Sequence, residues 1–316
     1  MIRVQRRRYR LLTVVFLTFL CLFITTVIVT ARLHDARYPP TITNSISFDA
    51  KIRFLRQNVR LFGARTVFAG SSICFNNVDV AYLNQRLPSA ASFVNISAWG
   101  LQIGSTRVFL DFFLKHAPDV HNVVLVGQIV DFKSSREGGL FDQEEVWSYI
   151  SGMESIFFTV RHFNLRKSLE NLWNFERLAR SNQSYDGLMF DETGTVMLDI
   201  PQTKLDGTRW NTYGLEVETN AFAYNELEKI CAKLRNSGIR CVFVVTPVRQ
   251  AYRQHSNSFN ALAEFKGKVR GIVVRNGGIF VDADEQLRLK DDCFIDVMHL
   301  NHRGARMVAE LLEPLL

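Results

Sequence analysis

The chain has 316 residues, of which 47% are hydrophobic and 22% are charged, and its formal net charge is +7. This composition can bury a substantial core, and the length suits one large α/β domain or two small ones. Five arginines among the first ten residues carry much of the positive charge. No later stretch interleaves basic and aromatic residues as a nucleic-acid groove requires, so we expect no nucleic-acid partner.

The arginines directly precede an uncharged apolar segment, LLTVVFLTFLCLFITTVIVTA (Leu11–Ala31). A bilayer is crossed by about 20 apolar residues, whereas the apolar core of a cleavable signal peptide usually has about 7–15. We therefore predict a transmembrane signal anchor over residues 11–31. The basic tail, residues 1–10, is expected in the cytoplasm, which places everything after Arg32 on the other side of the membrane.

The segment after the anchor, residues 32–47, has paired prolines and small polar residues and is predicted to be a linker. The main domain is then 48–316. Its first predicted helix covers residues 48–63, where apolar side chains recur at helical spacing and Gly63 provides a C-terminal cap.

Short apolar runs then alternate with amphipathic segments. The predicted strands are Thr66–Ser71, Ser92–Ser97, Asn122–Val130, 240–247 and Gly278–Ala283, and the predicted helices are 73–87, 105–117, Asn220–Gly238, 259–277 and 301–316. Because most of these strands are apolar throughout, we predict a three-layer α/β/α fold with a parallel sheet covered on both faces. A flavodoxin-like 2-1-3-4-5 strand order suits five strands.

One region interrupts this alternation, between about residues 133 and 219. Its first part, 144–180, is rich in aromatic residues and predicted to be helical, and a small hairpin is predicted around Glu192-Thr193-Gly194. We interpret the region as a mostly helical insertion after the third strand, placed over the carboxyl edge of the sheet. A lid and a docking surface both fit such an insertion.

The cysteines outside the anchor, Cys74, Cys231, Cys241 and Cys293, are widely scattered. They have neither the close spacing nor the histidine partners of a zinc site, so no metal is expected. Buried free thiols are favoured, and an oxidised Cys231–Cys241 pair is the alternative in an exported domain.

Two adjacent serines follow Gly70 where the first predicted strand ends. In an open α/β sheet, ligands bind beyond the carboxyl ends of the strands, and a serine at the start of the next helix lies at that helix's positive end. Such a serine is a nucleophile if a base lies within hydrogen-bond reach. The structural alternative is a helix N-cap.

A candidate base lies near the C-terminus in the stretch DDCFIDVMHLNHRGA. Asp296 and His299 are three residues apart, and on a tight loop the carboxylate can hold one imidazole nitrogen while the other accepts a proton from a hydroxyl. His302 is a competing base, but it has no acidic residue at the same spacing and has the alternative role of an exposed helix residue. The turn after the second strand, VNISAWGLQIG, adds glycines that let a backbone N–H approach a ligand.

Taken together, a serine after the first strand and an Asp-x-x-His before the last helix resemble the SGNH (GDSL-type) hydrolase superfamily. The resemblance covers roughly residues 66–315, with Ser71 in place of the aspartate of the Gly-Asp-Ser motif. It implies that Ser72 is the nucleophile, that His299 is the base, and that Asp296 orients it. Gly100 matches the oxyanion glycine most nearly.

The third motif of that superfamily, Gly-x-Asn-Asp, supplies an asparagine amide to the oxyanion. The equivalent stretch here is VGQIVDF, which has no asparagine. Gln128 is the candidate amide donor in its place, and Asp131 is expected to keep a structural role.

With its single anchor, the chain is similar to the membrane-anchored SGNH-like proteins of bacterial cell-surface polysaccharide O-acylation, such as the D-alanine transfer protein and the alginate acetyltransferases. This resemblance implies a serine O-acyltransferase or esterase in the periplasm, single-pass in the bacterial inner membrane. It implies O-acetylation of a glycan beside a membrane-bound O-acyltransferase partner, without a cofactor. The alternatives are a non-catalytic scaffold with the same fold and a plain GDSL lipase or esterase.

Overall fold

The computed structural model describes residues 2–36, 38–43, 45–87, 92–133, 141–153, 158, 161–162, 164–211 and 218–316. Helix α1 (Ile2–Ala36) contains an apolar span, Gln5–Thr30, with a mean hydropathy of 2.7. The span is long and apolar enough to cross a membrane, and only 6% of it is buried by the rest of the protein. The predicted anchor thus lies inside one helix, which continues through the first residues of the predicted linker.

Five parallel strands form one sheet in the order β2-β1-β3-β4-β5. They are β1 (Thr66–Gly70), β2 (Phe93–Asn95), β3 (Asn122–Gly127), β4 (Arg240–Val245) and β5 (Ile279–Asp282). The sheet has the predicted order, and each strand lies within its predicted range. Strands β1, β3 and β4 are buried almost throughout, because helices cover both faces.

The α-helices after α1 are α2 (Ile46–Gln57), α3 (Ser72–Asn77), α4 (Val80–Arg86), α5 (Ile103–His116), α6 (Gln143–Ile150), α7 (Leu165–Leu178), α8 (Gly207–Trp210), α9 (Ala221–Asn236), α10 (Gln250–Gln254), α11 (Ser256–Arg275), α12 (Ala283–Leu287) and α13 (His302–Leu312). Helix α9 packs against α5 and α11, and α13 packs against α3 and α4. The fold is a three-layer α/β/α arrangement, as predicted.

Two predicted helices are divided in the structure. The helix predicted over 48–63 is α2 followed by a 3₁₀ turn, Val59–Gly63, so Gly63 ends the 3₁₀ turn rather than the α-helix. The helix predicted over 73–87 is α3 and α4, which meet at Asp79. The Asp79 side chain accepts the backbone N–H of Tyr82 and so begins a new helix.

The insertion contains α6 and α7, in agreement with its predicted helical character; residues 134–140, 154–157, 159–160, 163 and 212–217 lie outside the described residues. The predicted hairpin forms only its turn, closed by the N–H of Asp191 to the carbonyl of Thr195. The flanks are not strands, because their backbone groups bond elsewhere. The N–H of Asn95 donates to Thr193, and the N–H of Val196 donates to Phe75.

All five cysteines are free thiols. Cys231 and Cys241 are buried neighbours whose sulfur atoms lie 3.9 Å apart. The favoured prediction of buried thiols therefore describes the four cysteines of the domain.

Candidate active site

Strand β1 ends in a turn that leaves room for nothing larger than glycine. A Cβ atom on Gly70 would lie 2.3 Å from the carbonyl oxygen of Val126 on β3. Ser71 follows as the N-cap of α3, and its hydroxyl accepts the N–H of Ile73. Ser72 is then the first residue of the helix, so its own N–H has no carbonyl partner within α3. The two serines thus have different roles, because one caps the helix and the other faces a pocket.

The Ser72 hydroxyl contacts His299. The distance from Ser72 Oγ to His299 Nε2 is 3.0 Å, although the residues lie 227 positions apart in the chain. His299 Nδ1 lies 2.9 and 3.1 Å from the two carboxylate oxygens of Asp296. With a proton on Nδ1 donated to Asp296, Nε2 is free to accept the proton of Ser72. The structure therefore brings the three predicted residues into one hydrogen-bonded chain.

A tight loop holds Asp296 in place. Its Oδ1 accepts the backbone N–H groups of Met298 and His299 at 2.9 and 2.7 Å. Burial opposes ionisation of this carboxylate, but the positive charge and hydrogen bonds of His299, together with the backbone amides, lower its pKa. Asp296 is therefore held in its charged form, which suits an imidazole partner.

The environment of His299 favours its protonated form. Burial alone would lower the pKa of the imidazole, yet the charge and hydrogen bond of Asp296 outweigh burial and raise it. The Arg209 guanidinium acts in the opposite direction. The side chain of His299 stays 22% exposed, so a molecule in the adjoining pocket can reach it.

Asn77, which was not singled out in the sequence, fastens the histidine loop to the serine helix. Its Nδ2 donates to the carbonyl of Met298 at 2.8 Å, and its Oδ1 accepts the N–H of Leu300 at 2.9 Å. These are the two neighbours of His299, so one buried side chain on α3 positions both sides of the imidazole. The sequence carries only a weak signal for this role, because Asn77 resembles any other polar residue in an amphipathic helix.

Ser72 and His299 open into a cavity of about 270 Å³ lined by Ser72, Asn76, Trp99, Tyr185, Asp186, Leu198, Arg209 and His299. Several of these come from the insertion. Arg209 lies over the Tyr185 ring at 4.4 Å, and the Tyr185 hydroxyl donates to the carbonyl of Ile295 at 2.7 Å. Asn76 Nδ2 donates to the carbonyl of Val196 at 2.7 Å. The insertion thus forms one wall of the pocket. The sequence predicted only that it lies over the carboxyl edge of the sheet, not which of its residues reach the pocket.

The two predicted oxyanion residues are not among the residues that line this cavity in the described part of the chain. Gly100 lies in the turn after β2, with a φ of +69° that favours glycine. The Gln128 carboxamide donates instead to the carbonyl of Thr246 and accepts the N–H of Ile129. Gln128 is fully buried because it caps the 3₁₀ turn Ile129–Phe132, so its amide is already engaged.

Asp131 has the structural contacts that were expected of it. Its carboxylate accepts the N–H of Gln128 at 2.8 Å and is buried beneath the site. The pKa of Asp131 is raised to about 6, because burial outweighs the Ser71 hydroxyl, the Gln128 amide and the charge of His299, which all lower it. Ser71, after β1, thus hydrogen-bonds to Asp131, after the neighbouring strand β3.

His302, the competing base, is not among the described residues that line the serine pocket and pairs with Asp79 instead. Its Nε2 lies 3.2 Å from Asp79 Oδ2, and its side chain is 57% exposed. Asp79 also pairs with Arg306 at 2.8 Å. His302 does have an acidic partner, but that partner lies at the start of α4, so the spacing of residues around His302 could not predict it.

Among the described residues, no group of three or more His, Cys, Asp or Glu side chains could hold a metal ion. No family model matches the chain, and no curated protein matches it. A function must therefore be argued from the residues and their geometry.

Proposed function

We propose that the protein is a membrane-anchored serine O-acyltransferase or esterase whose domain lies outside the cytoplasm and acts on a cell-surface glycan. The observation that carries this proposal is the hydrogen-bonded chain from Ser72 through His299 to Asp296. A capping serine needs no imidazole, and Ser71 already caps the helix. A base at 3.0 Å, oriented by a carboxylate, is what a serine nucleophile requires.

The reaction has two steps. In the first, Ser72 Oγ attacks the carbonyl carbon of an acyl ester, and its proton moves to His299 Nε2. The bond to the leaving oxygen breaks as that oxygen takes the proton from Nε2, and the acyl group stays on Ser72. In the second, an acceptor hydroxyl gives its proton to Nε2 and attacks the carbonyl carbon of the acyl-serine. The bond from that carbon to Ser72 Oγ then breaks, and Oγ takes the proton back from Nε2, which restores the Ser72 hydroxyl and the neutral imidazole.

Negative charge on the carbonyl oxygen needs donors in both steps. The N–H of Ser72 is available, because it is the first residue of α3. The stretch VGQIVDF has no asparagine and the Gln128 carboxamide is engaged with Thr246, so the proposed source of a second donor is the turn after β2, which contains Gly100 and whose Trp99 lines the pocket. Water as acceptor makes the enzyme an esterase, and a sugar hydroxyl makes it a transferase.

A larger groove of about 890 Å³ supports a glycan acceptor. It is lined by Asp199, Ile200, Pro201, Gln202, Trp210, Asp291, Asp292, Asn301, His302, Arg303 and Arg306. Arg209 lines the serine pocket and its neighbour Trp210 lines the groove, so the two adjoin at α8. Carboxylates, amides and an indole ring are suited to the hydroxyls and apolar faces of sugars.

The test is labelling with a fluorophosphonate probe, which reacts with activated serines, combined with hydrolysis of a chromogenic acetyl ester. We expect the full-length protein to be labelled and Ser72→Ala not to be. Ser71→Ala is the matched control, because it removes a neighbouring hydroxyl that does not contact the histidine. Equal labelling and hydrolysis by Ser72→Ala and the unchanged protein would refute the mechanism.

A non-catalytic scaffold beside a membrane-bound O-acyltransferase is the second candidate. The engagement of the Gln128 carboxamide with Thr246 favours it, because an oxyanion donor is then missing from the third motif. Full complementation of a deletion strain by a Ser72→Ala/His299→Ala double variant would favour the scaffold over the enzyme.

A further inference from the structure

Helix α7 presents an apolar stripe to solvent, formed by Leu165, Leu169 and Trp173. The three are spaced four residues apart, so they lie along one side of the helix. Their exposed fractions are 56%, 57% and 78%. Phe175 and Leu178, by contrast, are buried in a hydrophobic cluster beneath the helix. The stripe is thus a second apolar face that no described part of the chain covers.

The linker leaving α1 is bonded to the start of this helix. The Thr41 hydroxyl donates to the carbonyl of His162 at 2.6 Å, and Lys167 Nζ donates to the carbonyl of Thr43. The five residues from the end of α1 at Ala36 to Thr41 reach at most about 18 Å when extended. The start of α7 therefore lies near the end of α1, which continues for six residues beyond the apolar span.

The end of the span itself is covered by protein. Val27 and Thr30 are 2% and 8% exposed, although most of the span is exposed. Another part of the protein therefore contacts the last turns of the span. This closeness holds whichever side of the membrane the domain occupies.

The charges around the stripe suit a lipid surface. Residues 161–180 include five basic side chains and two acidic ones. Arg166 and Arg177 lie on the same side of α7 as Trp173, since they are seven residues before it and four after it. Glu176 lies on this side as well, and Arg166 pairs with Glu170 at 2.9 Å, so the basic excess at the stripe is small. Leucine and tryptophan flanked by arginine are typical of helices that lie in the membrane interface.

We propose that α7 is a second membrane contact, with the stripe seated in the interfacial region of an anionic bilayer. The proposal rests on α1 being the anchor, and it is independent of the catalytic role of Ser72. Such a contact would also position the serine pocket, because Phe175 of α7 packs in the same cluster as Phe75 of α3 and Leu198 of that pocket. An anchor and a surface helix together fix the height and orientation of that pocket above the lipid.

Nitroxide labelling of the full-length protein tests the proposal. A Cys21→Ala background removes the one exposed native thiol, while the other four are buried. One label is placed at Leu169→Cys on the stripe and a matched one at Glu170→Cys, also exposed and one residue away. Both proteins are reconstituted in nanodiscs of phosphatidylcholine and phosphatidylglycerol, and collisions with oxygen and a water-soluble nickel chelate are measured.

We expect the label at 169 to collide several-fold more with oxygen and several-fold less with nickel than the label at 170. Nanodiscs of phosphatidylcholine alone should weaken this difference, since they lack the anionic lipid. Equal nickel accessibility at both positions would overturn the proposal. Protection of position 169 from both reagents would also overturn it, because a protein partner or a second copy would then cover the stripe. Melting temperatures equal to that of the unlabelled protein establish that both variants are folded.

Discussion

Ser72 Oγ and His299 Nε2 lie 3.0 Å apart, one at the start of α3 and the other three residues before α13. The two helices pack against each other. The contact therefore depends on a helix pair that also belongs to the core. Substitutions that disturb this helix pair should lower the rate of the reaction, while substitutions of exposed neighbours should not.

Replacing Asp296 by asparagine should lower kcat for ester hydrolysis by about 10³–10⁴-fold, because the amide no longer holds the imidazole proton on Nδ1. The melting temperature should change much less, since the side chain keeps its size and one acceptor oxygen. Asp292→Asn is the control, because Asp292 pairs with Arg303 on the surface. Steady-state kinetics on a chromogenic ester would check this. Comparable losses in both variants would mean that Asp296 has no orienting role.

Replacing Asn77 by alanine should slow ester hydrolysis by about 10²-fold, the size of effect that a 1 Å misplacement can have. It should also lower the melting temperature, because two buried backbone groups lose their partner at about 1–3 kcal/mol each. The control is Asn276→Ala, because Asn276 is buried like Asn77 and its side chain donates a hydrogen bond to the carbonyl of Ile272, far from the site. It should lower the melting temperature without slowing the reaction. Kinetics well below both melting temperatures separate the two effects, and equal rates would contradict a positioning role.

The activity should rise with pH through a midpoint above the ordinary histidine value of about 6.5, because the base must be neutral and its pKa is raised by Asp296. Arg209 lowers the pKa of His299, so Arg209→Gln should move the midpoint further upward. Arg303→Gln, on the neighbouring groove, should leave it unchanged. The pH dependence of kcat/KM gives these midpoints. A downward movement in Arg209→Gln would show that another group controls the profile.

Gly70→Ala should prevent folding or lower the melting temperature sharply, because the new methyl group would lie 2.3 Å from a backbone oxygen. Gly267→Ala is the control: nothing lies within 4 Å of a Cβ atom at this position in α11. It should be neutral or stabilising by up to about 1 kcal/mol, since alanine favours a helix. Thermal melting followed by circular dichroism compares the two. An unaltered melting temperature in Gly70→Ala would contradict the packing of β1 against β3.

The sequence by itself determined the sheet and the long apolar helix at the N-terminus. Short apolar runs of β-branched residues between turn residues, such as Asn122–Gly127, form the strands of the sheet, and the uncharged segment 11–31 lies within one helix. It also pointed to Ser72, Asp296 and His299, because each is part of a local pattern next to a strand end or a helix start. The spacing of nearby residues can indicate such candidates, because residues that are close in the chain are also close in the fold.

Only the tertiary structure decided which side chains meet. Asn77 bonds to residues more than two hundred positions away, and Gln128 donates to Thr246 on another strand end instead of facing the serine pocket. Arg209 enters that pocket from the part of the insertion after the predicted hairpin, where no element was predicted. The direction of a carboxamide or guanidinium depends on which acceptors the packed elements bring to it. Those acceptors come from distant parts of the chain, so no local pattern records them.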